Sequence, residues 1–314
     1  MRNGRCESCA DRRQSIPIGS NPVIPKTLVI PDQGIPAIPK IPVIPDPLTP
    51  LPSVVQTEDG SPTLYVAALD EHYHSIHGAR QESAHVFIRH GLGPLLAAGR
   101  GSQQGGNLNI LEIGLGTGLN AILTLEACRQ AAAYTTYTAL ETVPLPPDVT
   151  EALAYAYFPP EDSRPRSAWQ KAHSEPLTGQ ELPWLGEALR DLHAAPWNQE
   201  VELGLEFYLT KLLAPLETAV LVPPDSWPLP PPDTAALVRG RYHLIYFDAF
   251  APQKQPELWT EAIFRLLFDA TAPDGVLVTY CAQGQFRRDL RAAGWTVEKL
   301  PGPPGKREMT RAVK

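Results

Sequence analysis

NILEIGLGTGLNAILTLEACRQ, residues 109–130, decides the fold. Its apolar opening, 109–114, reads as a buried strand running into a glycine-rich turn. Thr117 is placed to cap the helix that follows, because LNAILTLEACRQ carries apolar residues at helical spacing. TYTALE, 136–141, then reads as a second strand. A strand, a helix and a strand in this order predict a βαβ unit and a parallel sheet, hence an α/β protein.

Downstream, LEFYLT (205–210) is a third strand candidate and YHLIYFD (242–248) a fourth, separated by an exposed proline-rich loop at 223–232. PELWTEAIFRLLFDATA (256–272) predicts a helix with Pro256 near its start. DGVLVTYC (274–281) predicts a strand after a turn at Asp274-Gly275, and QFRRDLRAAG (285–294) a helix closed by Gly294. WTVEKL (295–300) and KREMTRAV (306–313) form the final pair of strands, joined by PGPPG. Residues 142–200, rich in proline and tryptophan, predict an insertion of short helices on one face. Upstream, twelve of the 35 prolines fall within residues 1–62, several in Ile-Pro dipeptides. Each fixes φ, removes a donor and extends its predecessor, so 1–62 reads as a polyproline-II or disordered tail before a packed domain at 63–314.

With 43% hydrophobic residues the 314-residue chain can fill a core, which excludes wholesale disorder. A formal charge of −7 excludes a polycation that coats nucleic acid. The start, MRNGRCESCADRR, lacks the apolar core of a secretion signal and no apolar run is long enough to span a bilayer, so the protein reads as cytoplasmic, with no membrane partner. Cys6 and Cys9 make one CxxC pair, and a tetrahedral zinc wants four ligands.

Glu112-Ile-Gly114-Leu-Gly116-Thr-Gly118 carries the chemistry. Glycines between a strand and a helix let the backbone approach a nucleotide-like ligand at a helix start. The GxGxG spacing, preceded by the acidic Glu112, favours S-adenosylmethionine over a dinucleotide. Glu141, at the end of the second strand, is placed to accept two ribose hydroxyls. Asp248 ends a buried strand, where open α/β sheets hold ligands, with Phe250 and Pro252 as a wall beside it. DEHYHSIHGARQESAHVFIRHGL, 70–92, concentrates five of the eight histidines, but no HExxH or HxxxH spacing. No metal is expected; the segment reads as surface or packed histidines, or as a lid whose Tyr73, Gly78 and Glu82 shape a substrate pocket. Residues 285–314 hold eight basic side chains against three acidic ones, a net of +5 that leaves −12 elsewhere. That segregation suits one edge meeting a phosphate backbone.

Four stretches, DEHYHSIHGARQESAHVFI, EIGLGTGLNAIL, YFDAFAPQKQPELWTEAIF and PGPPGKREM, resemble the tRNA 5-methylaminomethyl-2-thiouridine methyltransferases, found as the amino-terminal half of MnmC proteins and as stand-alone MnmD proteins. The DAFAPxKxPELW string and the closing GKREM are the most specific. The resemblance covers roughly residues 63–314. It implies a class I S-adenosylmethionine-dependent methyltransferase fold, Rossmann-like, with a mostly parallel sheet and an antiparallel last strand.

The activity implied is methyl transfer to the aminomethyl group on the wobble uridine of certain tRNAs. Gly114, Gly116 and Gly118 then line the cofactor loop, Glu141 holds the ribose and Asp248 faces the amine. Asp248 orients the amine and takes its proton or passes it to water. Tyr73, Phe250 and Tyr65 are candidates to stack on the displaced base. Lys306 and Arg307, in the basic segment, hold the anticodon stem-loop. The chain stops straight after the methyltransferase, so it is expected to lack the flavin oxidase activity of bifunctional relatives and to depend on another enzyme for the amine. Two departures stand out: LTKLLAPLE has no acid just after the third strand to meet adenine, and the proline-rich start is outside the family pattern. Rival readings are a methyltransferase or aminopropyl transferase of a small amine, and a binding module without catalysis.

Overall fold

The chain divides into two units, Met1–Val43 and Ile44–Lys314. The structure, a computed structural model, describes residues 51–157, 182–204, 206–224 and 235–314, all within the second unit. The Cys6–Cys9 pair, most of the proline-rich tail, the middle of the 142–200 insertion and most of the 223–232 loop lie outside the described residues.

An eight-stranded sheet forms the centre. Its strands are β4 (Leu108–Ile113), β5 (Thr135–Glu141), β6 (Glu200–Gly204), β7 (Phe207–Leu213), β10 (Tyr242–Phe247), β11 (Thr271–Thr279), β12 (Thr296–Pro301) and β13 (Glu308–Val313). They lie in the order β12-β13-β11-β10-β4-β5-β7-β6. From β11 to β7 all neighbours are parallel. β13 runs antiparallel between β11 and β12, and β6 adds an antiparallel edge beside β7. This is the class I methyltransferase sheet with one extra strand. β4 and β10 are buried almost end to end because both faces of a central parallel strand are covered, which is why LNILEI and YHLIYF are nearly continuous apolar runs.

One face packs on α3 (Leu119–Gln130), α4 (Pro147–Tyr157), α5 (Leu182–Ala194) and a continuous helical stretch made of α1 (Ala79–Ser83), π-helical turns over Ala84–Leu92, and α2 (Gly93–Ala97). The other packs on α6 (Glu261–Ala270) and α7 (Gly284–Ala292) around Phe247, Trp259, Phe264 and Phe286. α3 has both sheet and helices around it, so Leu119 to Glu126 are all buried and its stripe is not amphipathic.

Several boundaries differ from those read in the sequence. The packed unit reaches past residue 62: β1 (Ser53–Gln56) pairs with β2 (Pro62–Val66), which pairs with β3 (Glu71–His72). The expected third strand runs three residues further, as β7, and the edge strand β6 and the short pair β8 (Val220–Val222) and β9 (Ala236–Val238) had no alternating signal long enough to show. α6 starts at Glu261, capped by Thr260, whose Oγ1 accepts from Ile263 N–H at 3.4 Å, and Pro256 sits in a separate 3-10 turn. Asp274-Gly275 is a bulge inside β11, with Asp274 at φ 59° and a register shift against β10. Gly118, at φ 76°, occupies the α3 N-cap position expected of Thr117, whose Oγ1 accepts from Leu119 N–H at a long 3.4 Å.

Candidate active site

The strand order reverses between β4 and β10, so the crevice at their carboxyl ends is where such a sheet takes a ligand. Three sequence-predicted elements meet there: the glycine loop after β4, Glu141 at the end of β5 and Asp248 after β10. Gly114, at φ 87°, turns so tightly that a Cβ would come within 2.8 Å of the Asp248 carbonyl oxygen. Gly116, at φ 49°, lies under the Tyr73 ring, where a Cβ would come within 2.9 Å of Cδ1. Glu141 is held by three backbone donors. Its Oε2 accepts from Gly116 N–H at 2.9 Å, and Oε1 accepts from Thr142 and Val143 N–H at 2.7 and 2.9 Å. Burial pushes its carboxyl above the usual range while these donors pull it down. From the side, His193 Nε2–H donates to the Thr117 carbonyl at 3.1 Å, so α5 braces the loop.

Glu112, expected among the cofactor ligands, sits beneath the loop with 0% exposure. Its Oε1 accepts from Asn120 Nδ2 at 3.0 Å; it supports the loop from below and offers no surface to a ligand above it. The same Asn120 nitrogen donates to Asp248 Oδ2 at 2.8 Å, and the second Asp248 oxygen has no protein partner among the described residues. Burial, and then the nearby Glu82 charge, push the Asp248 carboxyl up to about 7, against the pull of Asn120 and Lys306. Glu112 goes well above the carboxylate range through burial. Asn120 escaped the sequence reading. An asparagine in the first turn of a helix looks like an ordinary polar position, and only the fold brings Asp248, distant in sequence, to its amide.

The 70–92 segment brings Tyr73 to this crevice, over Gly116. Tyr73 meets Phe250 edge to face with ring centroids 5.1 Å apart, so the two expected stacking residues do come together. Phe250 is fixed by its own backbone: its N–H donates to Gln255 Oε1 at 3.2 Å and its carbonyl accepts from Trp259 Nε1–H at 2.8 Å. Tyr65 turns elsewhere, its hydroxyl on Asp70 at 2.9 Å and its ring on His72, and does not join them. Gly78 is buried against the Asp59 side chain and shapes the turn into α1. Glu82 is buried, accepts from Ser75 N–H at 2.7 Å and pairs with Lys306. The Lys306 ammonium also lies 4.2 Å from the Tyr280 ring centroid, and the Tyr280 hydroxyl donates to the Ala249 carbonyl at 2.8 Å.

Lys306 therefore belongs to the pocket wall and not to an outer phosphate-facing edge; Arg307 beside it is exposed. Much of the basic segment is spent inside the fold. Arg287 is buried and donates to Thr310 Oγ1, Glu308 and the Met309 carbonyl at 2.9, 2.6 and 3.0 Å. Arg311 pairs with Glu298, and Lys314 binds two backbone carbonyls. The histidines of 70–92 are engaged separately: His72 on Tyr65, His74 on Thr63, His77 on Glu58, and His85 on both His90 and the Pro301 carbonyl. Among the described residues no three His, Cys, Asp or Glu side chains gather as a metal site, and no helix is long and apolar enough to cross a membrane.

The donor set fits S-adenosyl-L-methionine. A glycine turn with no side chain in the way meets a polar tail, and a strand-end carboxylate pre-aimed by three amides meets two vicinal hydroxyls. No acid stands immediately after β7; the first to follow, Glu217, sits exposed on the 3-10 turn Leu216–Thr218. Residues 233–314 match the model of a family described as S-adenosyl-L-methionine-dependent methyltransferase. MnmC2 from Aquifex aeolicus has a solved structure similar to this one, with a TM-score of 0.59, 22% identity, and coverage of 85% of this chain and 72% of that one. Fold, site and family match define a class I, S-adenosyl-L-methionine-dependent methyltransferase.

Within that class the chain is similar to part of the MnmC proteins. It is 32% identical over 249 residues to the "tRNA 5-methylaminomethyl-2-thiouridine biosynthesis bifunctional protein MnmC" of Magnetococcus marinus, covering 78% of this chain and 31% of the relative. With the protein of the same description from Azoarcus sp. it shares 31% identity over 265 residues, 84% of this chain and 36% of that one. The chain thus spans about a third of the length of the curated relatives it matches.

Proposed function

We propose that the protein transfers the methyl group of S-adenosyl-L-methionine to the aminomethyl group carried at C5 of a wobble uridine, or its 2-thio form, in tRNA. The observation that carries this reading is Asp248: a half-buried carboxylate at the carboxyl end of β10, hydrogen-bonded on one oxygen only, beside the glycine loop of a chain about 30% identical to MnmC. When bound, the cofactor supplies a methyl carbon on a positively charged sulfur, which leaves as a neutral thioether.

The chain's own residues have to present an uncharged amine to that carbon. A primary alkylamine resembles the lysine amine, with a reference pKa of ~10.4, and at neutral pH its protonated form has no lone pair. Asp248, with its carboxyl near 7, is poised to accept that proton through Oδ1 while Asn120 holds Oδ2. With the cofactor bound, the freed nitrogen lone pair would take its methyl group and the product would leave as a secondary ammonium that keeps both amine hydrogens, while Asp248 returns the single proton it accepted to water. Glu82 and the Tyr280 ring, now occupied by Lys306, form a wall suited to a cationic amine as it arrives. Tyr73 and Phe250 supply an aromatic corner for the displaced base, and burial keeps the Tyr73 phenol protonated. Glu141 and the glycine loop hold the nucleoside end of the cofactor. Exposed Arg307 and neighbouring basic side chains meet the RNA backbone, so the protein works where tRNA is, in the cytoplasm, after another enzyme has installed the amine.

The test is incubation with methyl-labelled cofactor and bulk tRNA from cells unable to make this last methylation, followed by digestion and identification of the labelled nucleoside. Label in 5-methylaminomethyluridine or its 2-thio form is the expected result. Cofactor binding with no label in RNA would refute the tRNA reading and point to a small amine acceptor.

A further inference from the structure

Among the described residues, three neighbouring buried polar atoms lack a well-formed hydrogen bond: Glu112 Oε2, Asn120 Oδ1 and the Tyr137 hydroxyl. Asn120, which is 3% exposed, meets Glu112, and Tyr137 meets Glu112 from the neighbouring strand. The single Asn120 amide nitrogen has two hydrogens, and both are used, one on Glu112 Oε1 at 3.0 Å and the other on Asp248 Oδ2 at 2.8 Å. Those two acceptors also fix which way the amide faces, since the flipped orientation would aim a carbonyl oxygen at two carboxyl groups. Two carboxyl groups that share one nitrogen at these distances are too close for both to be ionised at small cost in a buried site.

Counting donors decides where the proton goes. Glu112 Oε2 and Asn120 Oδ1 are both acceptors, and the Tyr137 hydroxyl, which lies against Glu112, brings only one hydrogen for the two. One proton on Glu112 provides the missing donor. It belongs on Glu112 because that carboxyl is fully enclosed, while Asp248 is partly open to the crevice. We infer that Glu112 is a neutral carboxylic acid whose hydrogen bonds orient Asn120, and that Asn120 is a positioning residue that holds one oxygen of Asp248 and turns the other to the substrate. This rests on the proposed role of Asp248 but needs no particular methyl acceptor.

The groups facing Asp248 from each packed element are Glu112 from β4, Tyr137 from β5, Asn120 from α3, Glu82 from α1, Tyr280 after β11 and Lys306 from the turn before β13. Only Asn120 among them donates a hydrogen bond to it. Glu112 is faced in turn by Asp248, Glu141, Tyr137 and Tyr246, none of them a cation.

The experiment is a carboxyl carbon-13 titration of Asp248 in the full chain, assigned with Asp248→Asn, in wild type, Asn120→Leu and Glu112→Gln. Folding is checked by cofactor binding, and Asn120→Ser stands in if Asn120→Leu fails to fold. The Asp248 midpoint should rise by about one pH unit or more when Asn120 is replaced, because the donor that favours its charged form is gone. Glu112→Gln should leave the midpoint within about half a unit, since a neutral amide replaces a neutral acid. An unchanged midpoint without Asn120, or a fall of about one unit in Glu112→Gln, which would mean a charge had been removed, overturns the inference. Neither readout uses RNA, so a failed tRNA assay and a failed titration are separate results.

Discussion

Replacing Asp248 by Asn should make the protein more stable and far less active, with the gain in stability confined to one side of a pH window. Folding takes this carboxyl from an ordinary value of 3.8 up to about 7, with burial as the first cause and Glu82 as the second. The folded state therefore binds more protons than the unfolded chain between about pH 4 and 7. Wild-type stability from this group is fully present below about pH 4, falls as pH rises, and levels off above about 7. Three pKa units at ~1.4 kcal/mol each set an upper limit of roughly 4 kcal/mol, and solvent at the crevice brings the expected gain to about 2 kcal/mol. Asn keeps an oxygen to accept from Asn120 Nδ2 at the same place, so the hydrogen bond survives while the charge does not. For a domain of this size ~2 kcal/mol is a rise in Tm of about 4–8 °C. Thermal unfolding from pH 4.5 to 8.5 should show the two proteins together at the acid end and the Asp248→Asn variant progressively ahead toward pH 8. Single-turnover methyl transfer should meanwhile fall by ~10²–10⁴-fold, the usual worth of a general base. Equal Tm differences at pH 4.5 and pH 8 would refute the buried-charge argument, and a rate within a few-fold of wild type would refute the base.

The wild-type methyl-transfer rate should rise with pH through about 7 as Asp248 ionises, and Glu82→Gln, by removing the neighbouring negative charge, should move that limb to lower pH; a limb that stays or moves upward counts against the geometry. Gly116→Ala places a Cβ within 2.9 Å of the Tyr73 ring at φ 49°, so calorimetric titration should find cofactor binding weakened at least tenfold, with affinity within a factor of two contradicting the packing. Arg287→Ala removes a guanidinium that donates to Thr310, Glu308 and Met309 from a buried position, and denaturant unfolding should show a loss of about 3 kcal/mol or more. Arg307→Ala should weaken RNA binding and flatten its dependence on salt by about one phosphate contact, whereas Arg287→Ala should leave that slope alone, because only Arg307 is on the surface.

The central βαβ unit was legible because its signals are local. A mostly apolar run such as LNILEI that ends in a glycine turn and leads into a helix fits a buried parallel strand. The positions of Glu141 and Asp248 at strand ends followed from the same patterns. The edge strand β6, the β8–β9 pair and β1 were not legible, because strands this short exist only where a neighbour supplies the hydrogen bonds. The basic carboxyl-terminal segment shows the limit of reading charge along a chain. Eight cations in thirty residues look like a surface, yet Arg287 points into the core, Arg311 pairs across the hairpin and Lys306 turns to Glu82.

What the sequence determined by itself was the class of fold and the identity of the groups at the crevice, since period, glycine placement and strand ends are set by neighbours a few residues away. The tertiary structure alone decided how those groups share protons. Asn120 lies between Glu112 and Asp248, and Lys306 reaches Glu82 across a long stretch of chain, only because parallel strands bring distant segments to one edge of the sheet. Burial there governs ionisation, and burial is a property of the packed whole.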